Sequence, residues 1–165
     1  MSGEVMGVER DELGELVKLP PVKLPSTRVV LDTNIVLDLW LYKDPATAAL
    51  QEALETKTVQ WLATQVMRDE LERVLAYTHI VKRLAFSQIT AQVILAQFDA
   101  YAQLMPIAAK ALFICKDGDD QKFIDLAAEH KTQLISKDKA VLTMRNRMAR
   151  LGVAVGKVFP TALPG

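Results

Sequence analysis

The stretch RVVLDTN, Arg28–Asn34, constrains this chain more than any other. Four residues, two of them adjacent valines, are followed at once by an acid, a hydroxyl and an amide. An apolar run without alternation suits a strand buried on both faces, as in a parallel sheet, and not a half-exposed antiparallel one. Where such a strand gives way to a helix, its polar end lies at the carboxyl edge of the sheet, where ligands bind in open α/β folds. Asp32 is therefore the first candidate for chemistry. Asp32 or Thr33 also serves as a cap for the following helix, since both side chains satisfy free N–H groups there. Which role applies depends on the other acids of the chain.

Downstream, apolar segments of the two periods alternate. IVLDLWLY continues from Asn34 as a helix, and Pro45 opens a second one over ATAALQEALETK. TVQWLAT is a strand, and Thr64 caps a helix over QVMRDELERVLAY. HIVKRLAF forms a short helix. Ser87 then caps a long one over ITAQVILAQFDAYAQLM, which ends before Pro106. ALFICK is a third strand, QKFIDLAAEH a helix, QLIS a fourth strand, KDKAVLTMRNRMARL a helix and VAV a last short strand. Such alternation predicts a three-layer α/β/α sandwich around a mostly parallel central sheet. Residues 1–27 carry Pro20, Pro21 and Pro25 and form an N-terminal extension, extended or poorly ordered, with a short helix over Asp11–Lys18 also open. Residues 28–165 form one domain.

Composition narrows the class of function. Twenty basic and twenty acidic residues cancel, so no global basic field announces a nucleic acid. The single cysteine, Cys115, excludes an internal disulfide and suits the reducing cytoplasm. With two histidines beside it, a zinc site of the Cys/His type is not expected. The apolar runs VILAQF and ALFIC are far too short to span a bilayer, and the acidic N-terminus lacks the apolar core of a secretory signal.

Three further groups of acids stand at comparable places. On the helix around QVMRDELERVL, the apolar stripe is Met67, Leu71, Val74 and Leu75; Glu70 flanks it while Asp69 points to water. A carboxylate on the buried side needs a partner, and Arg68 or Arg73 is within helical reach. In KDGDDQKF, Asp119 and Asp120 fall on either side of the apolar face of the next helix, and Gln121 points away. Asp138 follows the QLIS strand. Asp32, Asp119 or Asp120, and Asp138 thus come after three strands at one edge, with Glu70 reaching it from a neighbouring helix. Carboxylates converging without matching cations repel one another unless a metal ion lies between them. Ligation by oxygen alone suits Mg²⁺ or Mn²⁺, and such ions orient and deprotonate water for phosphodiester hydrolysis.

The motifs LDTN (Leu31–Asn34), DEL (Asp69–Leu71), DGDDQKF (Asp117–Phe123) and SKD (Ser136–Asp138) occur in that order. In this the chain resembles the PIN-domain nucleases, in particular the toxins of bacterial toxin–antitoxin systems. The resemblance implies a PIN-like parallel-sheet sandwich and divalent-metal-dependent cleavage of single-stranded RNA. It implies Asp32, Glu70, Asp120 and Asp138 as the acidic metal-binding and catalytic set, with Asp119 beside them. Asn34 and Ser136 would orient a carboxylate or the water. It also implies a homodimer and a small antitoxin protein as partner. The chain departs from the family pattern at Gly118, Gln121 and the lysines Lys137 and Lys139, which flank Asp138 as competitors of a cation for its carboxylate.

The segment from Lys139 to Lys157 holds Lys139, Arg145, Arg147 and Arg150 and no acid, an expected RNA-backbone contact. No aromatic residue alternates with these cations, so the segment offers no base stacking. Two other functions remain to compare. A non-catalytic PIN fold would bind RNA or protein without cutting. A phosphatase of the haloacid dehalogenase type needs a second Asp two residues after the first, and that position is Asn34.

Overall fold

The computed structural model describes residues 27–164 and, ahead of them, residues 4–5, 8–10, 13–14, 16–18 and 22–23. In that leading segment β1 (Glu4–Val5) pairs antiparallel with β4 (Val22–Lys23), and β2 (Val8–Arg10) pairs antiparallel with β3 (Leu16–Lys18). Leu16–Lys18 is thus strand where a helix was open.

The RVVL run forms β5 (Thr27–Leu31). It lies at the centre of a five-stranded sheet with β6 (Val59–Ala63), β7 (Ala102–Leu104), β8 (Gln133–Ile135) and β9 (Ala154–Gly156). The order is β7-β6-β5-β8-β9, and each of the four pairings is parallel. Neighbouring residues of a strand face opposite sides, and Val29, Val30 and Leu31 are all buried. Both faces of the sheet are therefore covered, as the uninterrupted apolar run predicts. The chain steps outwards from β5 through β6 to β7, then returns to the other side of β5 for β8 and β9. This reversal opens a crevice between the carboxyl ends of β5 and β8, the point where such sheets hold ligands.

The helices are α1 (Thr33–Trp40), α2 (Ala48–Glu55), α3 (Gln65–Leu75), α4 (Thr78–Ser87), α5 (Ala91–Tyr101), α6 (Gln121–His130), α7 (Lys139–Leu142) and α8 (Arg145–Ala149). Pro45 opens a 3₁₀ turn that runs into α2, and Thr64 caps α3 by accepting from the Met67 N–H. Three expectations fail at element ends. Ser87 closes α4; the cap of α5 is Thr90, which accepts from the Val93 N–H. The stretch after Asp138 is two short helices, not one. The long helix ends at Tyr101, because the backbone of Ala102–Leu104 pairs with β6 and the Met105 N–H donates to the Ala63 carbonyl at 2.8 Å. Sheet pairing overrides helical propensity there.

ALFICK is not a strand. Leu112 and Ile114 are exposed, and the backbone of this segment is held by side chains of α6. Cys115 N–H donates to Gln121 Oε1 at 2.6 Å, Gln121 Nε2 donates to the Phe113 carbonyl at 3.2 Å, and Ala111 N–H donates to Asp125 Oδ1 at 2.8 Å. Gln121, expected to point away, is buried and replaces a strand neighbour.

Over β6 the core is aromatic. The Trp61 ring lies 5.9 Å from that of Trp40 and meets Phe98 edge-on at 4.9 Å, so α1, β6 and α5 interlock. Trp61→Ala is expected to lower the free energy of unfolding by about 3–5 kcal/mol. The check is a urea titration, where the midpoint should fall with the slope unchanged.

Candidate metal centre

Asp32 lies one residue past β5 and caps α1, its carboxylate accepting from the Asn34 N–H at 3.4 Å. The cap and the chemical candidate are one side chain. Its other oxygen, Oδ2, accepts from Ser136 Oγ at 2.7 Å. Ser136 is fully buried just past β8, and its hydroxyl oxygen accepts in turn from the Asp138 N–H at 3.0 Å. Asp138 caps α7 by accepting from the Ala140 N–H at 2.8 Å. Asp120 arrives differently. It has no strand before it; a 3₁₀ turn over Gly118–Asp120, capped by Asp117, delivers it to the start of α6.

Asp32, Asp120 and Asp138 each present an oxygen within 4.8 Å of the other two. Asp32 is 4 % exposed and Asp120 7 %. Burial raises the pKa of Asp32 against the lowering effect of the Ser136 and Asn34 hydrogen bonds, and the charges of Asp138 and Glu70 add to the rise. Burial, a hydrogen bond shared with Asp138 and the charges of Asp32 and Asp138 push Asp120 up to about 8. Asp120 Oδ2 is buried without a hydrogen-bond partner. Three converging carboxylates, one of them with a buried oxygen that has no hydrogen-bond partner, are what a hard divalent cation satisfies, so these residues fit Mg²⁺ or Mn²⁺.

Glu70 stands beside this group and outside it. It accepts from Thr33 Oγ1 at 2.7 Å and is ion-paired with Lys122, the second residue of α6. Arg68, a partner expected for it, instead holds Asp99 at 2.7 Å. Asp69 faces water, bound to Gln65 at 3.0 Å. Asp119 is exposed, and its carboxylate is not among the three. Asn34 touches Asp32 through its backbone, with its side chain exposed. Lys137 is paired with Asp38 at 2.5 Å, and among the described residues no lysine is paired with Asp138.

The basic segment divides. Lys139 is exposed and adjoins Asp138; Arg145 is exposed and Arg147 half-buried. Arg150 lines a cavity of about 510 Å³ with Glu129 and Lys131, at the far end of α6 from Asp120. Ten helical residues separate the two ends by roughly 15 Å. Lys122 and Thr33, which hold Glu70, escaped the sequence. The one signal for Lys122 was its place one turn beyond Asp119 on the helix face that begins at the acidic cluster.

No helix of the described residues is long and apolar enough to cross a membrane. The PIN domain family profile matches residues 28–140, well over half of the chain, a span that includes Asp32, Glu70, Asp120 and Asp138. No curated protein matches the chain.

Because Asp32 and Asp120 bind protons more tightly folded than unfolded, the metal-free folded state carries extra protons above the ordinary carboxylate range. Stability contributed by these groups is present at low pH and lost as pH rises from about 3.8 towards about 8. Asp120→Asn is expected to raise the thermal midpoint in chelator at pH 8 by about 2–8 °C, or roughly 1–2 kcal/mol. The gain should shrink at pH 5, and Mg²⁺ or Mn²⁺ should stabilise wild type more than the variant. Melting curves at both pH values check this; equal gains would refute it.

Proposed function

The chain belongs to the PIN-domain family, and from that premise we propose that it is a divalent-metal-dependent endoribonuclease. Its substrate is single-stranded RNA, and its role is that of the toxin in a type II toxin–antitoxin pair. PIN domains are generally nucleases. The observation that carries the proposal is the convergence of Asp32, Asp120 and Asp138, one oxygen of which is buried without a partner.

Asp32, Asp120 and Asp138 would hold the ion. An ion held there would supply a water of lowered pKa for phosphodiester hydrolysis and positive charge for the leaving oxygen. Ser136 positions the site: by donating to Asp32 Oδ2 and accepting from the Asp138 N–H, it locks two acids from adjacent strands in one register. Thr33 and Lys122 fix Glu70 at the border, close enough for its charge to raise the pKa of Asp32. Lys139, beside Asp138, and Arg145 and Arg147 after it are the cations assigned to the RNA backbone. Arg150 is left out because it lies at the other end of α6.

The toxin role is supported by the order of the LDTN, DEL, DGDDQKF and SKD motifs. It carries with it a small antitoxin protein as partner, a homodimer and a cytoplasmic location. A small DNA-binding protein encoded in the adjacent reading frame would separate this role from that of a housekeeping ribonuclease.

Wild type should cut a labelled single-stranded RNA with Mg²⁺ or Mn²⁺ and not with chelator. Asp32→Asn should lower the rate by about 100-fold or more, since several kcal/mol of charge stabilisation are lost with the ion. Equal cleavage in every sample would remove the mechanism. Tight RNA binding without cleavage, indifferent to metal, would favour a non-catalytic binding module instead.

A further inference from the structure

Beside the three carboxylates lies a separate cavity of about 280 Å³. Asn34, Asp38, Tyr42, Tyr77, His79 and Lys137 are in its wall. Two of these are tied to the metal centre. The Asn34 N–H faces Asp32 Oδ1, and Lys137 joins Ser136 to Asp138 along the chain. Cavity and carboxylates thus share a border.

The lining is chemically mixed. Tyr77 stands just before α4, is 52 % exposed, and its ring centre lies 6.1 Å from that of His79. Two partly exposed rings side by side, neither buried in the core, offer a stacking face. Asn34 carries both a donor and an acceptor, and Lys137, although paired with Asp38, keeps its side chain half-exposed. Arg83 is not itself in the wall, but it adjoins Tyr42, which is. Its guanidinium lies 5.3 Å from the ring centres of both Tyr42 and Phe86. Its Nε is buried without a hydrogen-bond partner, and among the described residues it makes no ion pair. A guanidinium held between rings with no carboxylate to neutralise it is prepared for an anion from outside.

Rings for a planar heterocycle, an amide and an ammonium for its edge, and a free guanidinium for a phosphate describe one ligand class. We infer that this cavity is a base-binding subsite for a nucleotide flanking the cut phosphodiester, its base stacked on Tyr77 and His79 and a neighbouring phosphate held by Arg83. The identity of the ligand as single-stranded RNA rests on the ribonuclease proposal above. A peptide from a protein partner is the competing occupant. The subsite would give a protein of zero net charge both grip and base preference next to its metal centre.

The test measures binding apart from cleavage. Labelled hexaribonucleotides of each single base are titrated by fluorescence anisotropy, with Mg²⁺, onto Asp32→Asn protein alone and with Tyr77→Ala, Tyr77→Phe or Arg83→Gln added. Tyr77 makes no capping bond with its side chain, so its removal leaves α4 intact. The expected result is binding weakened about tenfold by Tyr77→Ala, the loss of one stacked base, and restored by Tyr77→Phe. Arg83→Gln should weaken all four hexamers alike and flatten the salt dependence. Equal binding by the Ala and Phe variants overturns the subsite, as does the absence of RNA binding by any of the proteins. A Tyr77→Ala change in sedimentation without RNA binding would assign the cavity to a protein contact and overturn it too. Cleavage by wild type is read in parallel. Cleavage with Tyr77-independent binding removes the subsite alone, and Tyr77-dependent binding without cleavage removes the nuclease alone.

Discussion

The hydrogen bond from Ser136 Oγ to Asp32 Oδ2, 2.7 Å long and wholly buried, joins the carboxyl ends of the two strands on which the metal centre is built. It exists only because β5 and β8 are neighbours that run the same way in matching register, Leu31 opposite Ile135. An antiparallel pair would carry Asp32 and Ser136 to opposite ends of the sheet. A slip of one residue would turn one of them to the other face. The valine-rich interior of β5 fixes its place at the centre of the sheet by being buried on both sides, and the polar half of RVVLDTN begins where that burial meets the sheet edge. Ser136 then passes the constraint on through the Asp138 N–H to the start of α7.

Against this framework works the repulsion among Asp32, Asp120 and Asp138. Each acid also sits at or beside a helix start, where free N–H groups favour negative charge, but the contribution there is only about 0.3–1 kcal/mol apiece. The upward pKa shifts of Asp32 and Asp120 show that this does not offset burial and mutual repulsion. Among these three acids the fold opposes its own charges, and the sheet beneath must be rigid enough to hold them. The interlocked Trp40, Trp61 and Phe98 rings and the buried centre of the sheet supply that rigidity. Stability held elsewhere and withheld at the site is common where a protein binds a charged ligand.

Much of this was legible from residue pattern because the pattern was redundant. β5, β6, β8 and β9 each announce themselves by composition, and Asp32 and Asp138 follow two of them directly. Where the structure departs, a long-range contact decided what local pattern could not. ALFICK has strand composition, but its backbone groups are taken by Gln121 and Asp125, so β7 forms instead from the last turn of an apparent helix. Asp120 still reaches the centre, since the helix that follows is anchored by Phe123 and Leu126 whatever precedes it. Glu70 was aimed correctly along its helix, yet its cation comes from α6, a relation no helical wheel contains. Lys137 likewise finds Asp38 and leaves Asp138 to its neighbours, removing the competition that adjacency in sequence suggested.

The same limit explains why stacking partners for a nucleotide were invisible along the basic segment after Lys139. Tyr42 follows the end of α1, Tyr77 and His79 open α4, and Arg83 lies further along it. None of them is within thirty residues of Lys139 in the chain. They meet because α1 starts just after Asp32 and carries its far end towards α4, where Arg83 covers the Tyr42 ring. Zero net charge is then no obstacle to a polyanionic ligand. Global charge governs attraction at a distance, whereas contact depends on single cations: Lys139 adjoins Asp138, and Arg83 makes no ion pair among the described residues. On the proposed reading, RNA would bind weakly away from the cleft and well within it, and a preference for single strands would come from rings that only an unstacked base can reach.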